Sequence, residues 1–166
     1  AFSSMVKLME LRLDHNRLRS LGCAMVGCSS LQRLDLSNNR LCDVTGLSGL
    51  QQLSELRLAG NAIKSLQGLK SLPCLLELDC SNNLLQDLDG IESISTLEVI
   101  KVDHNRLSTL TIARSRRLRH VEGGKLRVIS AASNKLISLP GAEWTGGDSL
   151  ERLHVSRKAL PLCRLI

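Results

Sequence analysis

Eleven residues, Leu31 to Leu41 (LQRLDLSNNRL), recur almost letter for letter along the whole chain. The stretch returns as LMELRLDHNRL from Leu8, LSELRLAGNAI from Leu53, LLELDCSNNLL from Leu75, LEVIKVDHNRL from Leu97 and LRVISAASNKL from Leu126, with a weaker copy, LERLHVSRKAL, from Leu150. Seven copies in 166 residues exclude most architectures. A unit this short cannot bury its own apolar side, so the copies must stack and share one continuous core.

The pattern assigns a task to each position. Leu34 and Leu36 are two residues apart, so in an extended strand both point inward, while Arg33 and Asp35 point to solvent. Asn39 stands where the chain leaves the strand. An amide both donates and accepts, so an inward Asn satisfies main-chain groups of its own turn and the neighbouring one. Stacking predicts a ladder of structural amides at Asn16, Asn39, Asn61, Asn83, Asn105 and Asn134.

Asn39, Asn61, Asn83 and Asn105 are spaced by 22 residues. Between strands the apolar residues fall at every third position, as in Ile63, Leu66, Leu69, Leu72 and Leu75. A period of three is the spacing of a 3₁₀ helix or a run of turns, and Pro73 with Gly46, Gly49, Gly60, Gly68 and Gly90 fits turns better than long helix. Repeats of this length and cadence, clean from Leu8 to about Leu97, resemble the leucine-rich-repeat subfamily typified by a protein phosphatase 1 regulatory subunit and an axonemal dynein light chain. A tubulin-folding cofactor and a spliceosomal snRNP protein belong to the same group. The resemblance implies an α/β fold: a right-handed leucine-rich-repeat solenoid with a parallel β-sheet on the concave face and turns and short 3₁₀ helices on the convex face. It implies function loosely, because one fold carries many functions.

Phe2 and Trp144 are the only aromatic residues, so the core is aliphatic. The six cysteines, Cys23, Cys28, Cys42, Cys74, Cys80 and Cys163, show no paired zinc-type or disulfide-cap spacing. Cys80 takes the slot that Leu36 and Leu58 fill, and Cys28 takes another apolar slot. Thiols used as core filler fit a reducing compartment. With no apolar run of membrane-spanning length, the expectation is a soluble intracellular protein. The chain is read as one leucine-rich-repeat domain over residues 1–166, with about seven repeats. Because it opens and closes without polar caps, the expectation is a fragment of a longer chain.

Three copies exceed 22 residues: the first has one extra residue around Leu21 to Leu31, a minor bulge on the outer side, and the fifth and sixth carry longer insertions, which solenoids place in loops. The fifth is seven residues longer than its neighbours; the sixth has two extra residues and holds Trp144, Gly146 and Gly147. In the seventh, Lys158 replaces the ladder Asn. The segment 106–127 contains seven basic residues, Arg106, Arg114, Arg116, Arg117, Arg119, Lys125 and Arg127, against Glu122, a net of +6 that equals the charge of the whole chain. Such a cluster suits RNA, an anionic lipid surface or an acidic protein, or is simply a solvated loop. The lack of aromatic side chains disfavours single-strand recognition by stacking.

Catalysis and metal binding find little support. His15 and His104 share a slot in twin DHNRL sequences, but four strand steps put them about 19 Å apart. His120 and His154 lack close partners, and Gly123–Gly124 reads as a turn. No catalytic, cofactor or metal residues are assigned.

The solvent face of the sheet carries more information. One column reads Arg12, Asp35, Arg57, Asp79, Lys101, Ser130, His154, with signs alternating from strand to strand, as in a self-neutralising ladder. The adjacent column reads Glu10, Arg33, Glu55, Glu77, Val99, Val128, Arg152, where alternation fails. Glu55, Glu77, Val99, Lys101, Val128 and Ser130 are the first candidate partner site, and Arg114, Arg116, Arg117, Arg119, Lys125 and Arg127 the second. The expected function is a non-enzymatic protein-protein interaction scaffold within a larger intracellular protein, cytoplasmic and in a cytoskeletal or ciliary setting. The alternative is a nucleic-acid-associated or phosphatase-regulatory module using the basic segment. The sequence does not define an oligomeric state.

Overall fold

A computed structural model describes residues 5–110, 125–137 and 149–155. Each repeat contributes one three-residue strand: β1 (Glu10–Arg12), β2 (Arg33–Asp35), β3 (Glu55–Arg57), β4 (Glu77–Asp79), β5 (Val99–Lys101), β6 (Val128–Ser130) and β7 (Arg152–His154). They form one parallel sheet in the order β1-β2-β3-β4-β5-β6-β7. Equivalent positions align in unbroken register, for example Leu34 beside Leu56 and Leu78 beside Ile100. The seven-residue insertion before β6 leaves this register intact, with Ile100 beside Ile129.

On the opposite side the threefold leucine cadence becomes a chain of i to i−3 hydrogen bonds. Leu47 N–H donates to Val44 O, Leu50 to Leu47 and Leu53 to Leu50; in the next coil Leu69 donates to Leu66, Leu72 to Leu69 and Leu75 to Leu72. Two stretches are regular enough to be 3₁₀ helix, Thr45–Leu47 and Gln67–Leu69. Every third side chain then points the same way, into the core.

The core is a column of aliphatic side chains from Leu21 to Leu136, broken only by small fillers such as Cys28, Cys80 and Ala131. Cys80 is fully buried, and burial pushes its thiol pKa far above the ordinary value. The thiol thus stays protonated and packs as a hydrophobe.

The asparagine ladder binds coil to coil. Each amide oxygen accepts an N–H from the preceding coil: Leu18 to Asn39 at 3.0 Å, Leu41 to Asn61 at 2.9 Å, Ile63 to Asn83 at 2.9 Å, Leu85 to Asn105 at 3.0 Å and Leu107 to Asn134 at 3.0 Å. Each amide nitrogen donates to carbonyls of its own turn and the preceding coil, as Asn83 does to Cys80 O at 3.1 Å and Leu58 O at 2.9 Å. Asn16 is the exception. It is exposed and, among the described residues, bonds only within its own turn, to Leu13 O and Asp14 O.

Two further repeat features accompany the ladder. The residue before each amide is left-handed: His15, Asn38, Gly60, Asn82, His104 and Ser133 have φ between 53° and 70°. Gly46, Gly68 and Gly90, again 22 residues apart, lie against the backbone of the preceding coil. A Cβ on Gly68 would sit 2.7 Å from the Val44 carbonyl oxygen, inside any permissible contact.

Candidate functional site

The central residues of β2 to β6 are buried in the core and Leu11 of β1 packs against it, so the two residues flanking each must face the concave solvent side. In β7 the register is kept, but the central Leu153 is exposed. Neighbouring strands lie about 4.8 Å apart. The sequence therefore writes two columns of side chains directly onto this surface, in the expected order.

How those side chains pair differs along the sheet. In β1 to β3 the charges neutralise one another. Glu10 accepts from Arg12 Nε at 2.9 Å and from Arg33 Nη2 at 2.9 Å. These two guanidinium groups, Arg33 first, hold the Glu10 carboxyl below the usual carboxylate range. Glu55 pairs with Arg57 at 2.6 Å, and Asp35 lies 4.0 Å from the same guanidinium. Arg57 is held above its ordinary pKa, chiefly by the Glu55 charge.

The expected strand-to-strand ladder of Arg12, Asp35, Arg57, Asp79 and Lys101 is thus only partly formed. Arg12 and Arg57 instead find glutamates two residues away on their own strands. The short aspartates turn toward the backbone: Asp35 Oδ1 accepts the Ser37 N–H at 2.9 Å and Asp79 Oδ1 accepts the Ser81 N–H at 3.0 Å. A carboxylate that caps its own turn is poorly placed to reach the next strand.

Across β4 and β5 pairing stops. Glu55 lies beside Glu77 in register, Glu77 beside Val99, and Val99 beside Val128. Among the described residues neither Glu77 nor Lys101 makes an ion pair. Both are exposed, and Val99 and Val128 are half-buried. A shallow depression over β3 to β5 is lined by Glu55, Arg57, Glu77, Asp79, Val99 and Lys101, so it gathers four of the six residues expected at the concave site.

Ser130, also expected there, is tied into a small cluster. Its Oγ donates to Asp103 Oδ1 at 2.8 Å and lies 3.4 Å from His154 Nδ1, so His154, expected to lack close partners, has one across the β6–β7 pairing. Asp103 Oδ1 also accepts the Ala132 N–H. Serine, histidine and aspartate meet here in the wrong order for nucleophilic catalysis. The aspartate accepts the serine hydroxyl's hydrogen bond instead of orienting the histidine. Asp103 was not expected at this site; the shared Asp-His-Asn of Asp103–Asn105 and Asp14–Asn16 was its only sequence signal.

Of the basic site, Arg114, Arg116, Arg117 and Arg119 lie outside the described residues. Lys125 is exposed, whereas Arg127 is engaged. Its Nε and Nη2 donate to the two Glu151 oxygens at 2.9 and 3.1 Å, with Glu98 at 3.9 Å on its other side. Hydrogen bonding to Glu151 is the first cause of its raised pKa. Among the described residues no three His, Cys, Asp or Glu side chains are placed to hold a metal, and no helix is long and apolar enough to cross a membrane.

Comparison with known proteins agrees with this architecture. Three family models match, all described as leucine-rich repeats: one over residues 1–41, one over 30–53, and one of two copies over 51–93. No curated protein sequence matches the chain. Among solved structures, an internalin (inlF) from Listeria monocytogenes superposes with a TM-score of 0.72 at 19% identity, covering 94% of this chain and 43% of its own. Internalin C2 from the same organism gives 0.64 at 22% identity, covering 93% and 71%. The chain therefore spans less than half of the first of these proteins. At such identities the likeness concerns the fold. With repeat models over the first four coils and an unbroken parallel sheet through all seven strands, the chain is a leucine-rich-repeat protein folded as a solenoid.

Proposed function

We propose that this chain is a non-enzymatic scaffold that docks a protein partner on its concave face through Glu55, Glu77, Val99, Lys101, Val128 and Ser130. The leucine-rich repeats themselves are an interaction architecture. The observation that carries the reading is the unbalanced stretch at β4 and β5. There, among the described residues, Glu77 and Lys101 stand without ion pairs beside Val99 and Val128, while β1 to β3 satisfy their own charges. Unpaired charge next to apolar surface is what a partner compensates, and a rigid sheet loses little entropy on docking. The setting is a larger intracellular protein, cytoskeletal or ciliary, with the 166 residues as its single solenoid domain. The 22-residue cadence and the thiols used as core filler at Cys28 and Cys80 support that setting.

Pull-down from a cell extract tests the face. The Glu77→Lys, Val99→Asp double variant should lose partners that the parent chain recovers; unchanged recovery would sink this surface.

The net charge of +6 over 106–127 favours a second reading, association with RNA or an acidic protein through Arg114, Arg116, Arg117, Arg119 and Lys125. Arg127, already held by Glu151, contributes less. Filter binding of RNA against salt distinguishes the two readings. Strong salt-dependent affinity, lost on neutralising Arg116, Arg117 and Arg119, would favour nucleic acid.

A further inference from the structure

Resting on the concave-face reading, we infer the partner's chemistry: an extended segment crossing the strands, with a basic residue, an apolar residue two positions later and an acidic residue two positions after that. The register supplies a ruler. One row of the sheet runs Glu77, Val99, Val128, Arg152 across β4 to β7. At about 4.8 Å per strand, the midpoint between the two valines lies about 7 Å from Glu77, and Arg152 lies about 14 Å from it. An extended chain places alternate side chains about 6.7 Å apart, with the next same-side residue at about 13.4 Å. The two spacings coincide over three contacts.

The chemistry of the row matches that ruler. Glu77 is exposed and without an ion pair among the described residues, so it is free to take a lysine or arginine. Val99 and Val128, adjacent in register and half-buried, form an apolar saddle for one aliphatic or aromatic side chain. Arg152 is exposed and makes no ion pair among the described residues; its charge is felt by Glu151, but the oxygens of that carboxylate are hydrogen-bonded by Arg127, so the Arg152 guanidinium is open to a carboxylate of the partner. Asp79 and Lys101 form a parallel row beside it, with Asp79 adding negative potential near the basic residue and Lys101 repelling a second cation placed further along. The opposite half of the same sheet offers no such row, because Glu10, Arg33, Glu55 and Arg57 are already engaged.

The test is selection of displayed twelve-residue random peptides on the full chain, with the Glu77→Lys variant as counter-selection. Enriched peptides should carry the basic, apolar, acidic spacing and bind Glu77→Lys about tenfold more weakly. Replacing their basic residue with glutamate should restore binding to Glu77→Lys. Circular dichroism of the variant, whose substituted side chain faces solvent, checks that it folds. Peptides that ignore Glu77→Lys, that carry an acid opposite position 77, or that show no shared pattern would overturn the inference. A different pattern still dependent on Glu77 or Val99 would refute the spacing while leaving concave-face docking standing. If extract partners also ignore the Glu77→Lys, Val99→Asp variant, the docking reading fails with it.

Discussion

The inner seam and the concave face are built from the same seven repeats, yet they treat repetition in opposite ways. Along the seam Asn39, Asn61, Asn83, Asn105 and Asn134 make the same bonds in coil after coil. On the face no two neighbouring strands present the same pair of side chains: Arg33 and Asp35 give way to Glu55 and Arg57, then to Glu77 and Asp79, then to Val99 and Lys101. Stacking demands identical interlocking at every junction, whereas solvent places no such demand. Stability should therefore reside in the invariant positions and selectivity in the variable ones.

The sharpest way to break that division is Asn83→Ala. It removes the acceptor of the Ile63 N–H and the donor to Leu58 O and Cys80 O, all in the interior. Leu58 O keeps the Asn61 amide and Cys80 O the Asn105 amide, so only the Ile63 N–H is left unpaired, at about 1–3 kcal/mol. With about 0.5–1 kcal/mol for each carbonyl bond lost, a total of about 3 kcal/mol is expected, a large part of a typical domain's stability. Urea denaturation measures it. The same change at Asn16, whose bonds are local and exposed, should cost about 0.5 kcal/mol or less. Equal losses at the two positions would mean that the ladder does not hold the coils together.

Next in size is Gly68→Ala. The added methyl would meet the Val44 carbonyl carbon at 2.8 Å as well as its oxygen, so the outer turns must separate. Overpacking of this kind costs about 1–3 kcal/mol. At Gly49, where nothing lies within 4 Å of the added Cβ, alanine should be nearly neutral. A thermal melt of the two variants side by side decides whether the 22-residue glycine spacing is a packing requirement or only a turn preference.

These predictions mark where the sequence was legible. The period, the inward leucines and the amide ladder could be read because each is a local rule applied many times. The 3₁₀ outer turns followed from the leucine spacing for the same reason. Gly46, Gly68 and Gly90 were read only as turn residues, because a close approach between coils involves a partner 24 residues back that no local pattern displays. The left-handed slot was also visible in hindsight, since His, Asn, Gly and Ser stand before every amide and tolerate positive φ better than branched residues. The face was legible as two ordered columns and illegible as a set of ion pairs. Which acid an arginine reaches depends on side-chain length and on competition from turn N–H groups, as Asp35 and Asp79 illustrate.

The variable face makes its own prediction about stability. Glu77→Lys replaces an exposed side chain that has no ion pair among the described residues, so the urea midpoint should move by about 0.5 kcal/mol equivalent or less. A larger destabilisation would place Glu77 with the structural residues and remove the main support for a partner there.

The smallest effect expected distinguishes the two halves of the face by acid. Arg33 and Arg12 lower the Glu10 carboxyl below its ordinary 4.5, so folding favours its ionised form. A depressed carboxylate stabilises the fold at pH above the unfolded value and loses that contribution as pH falls through the folded value. Glu10→Gln should therefore be slightly less stable than the parent above about pH 4.5, with the gap closing as the solution is acidified. Salt should narrow the same gap at neutral pH, because the three side chains are open to solvent. Parallel urea titrations at neutral and acid pH, each at low and high salt, read both trends. A gap that persists in acid and in salt would show that Glu10 acts through packing and not through charge, and β1 to β3 would then no longer count as the self-neutralised half of the sheet.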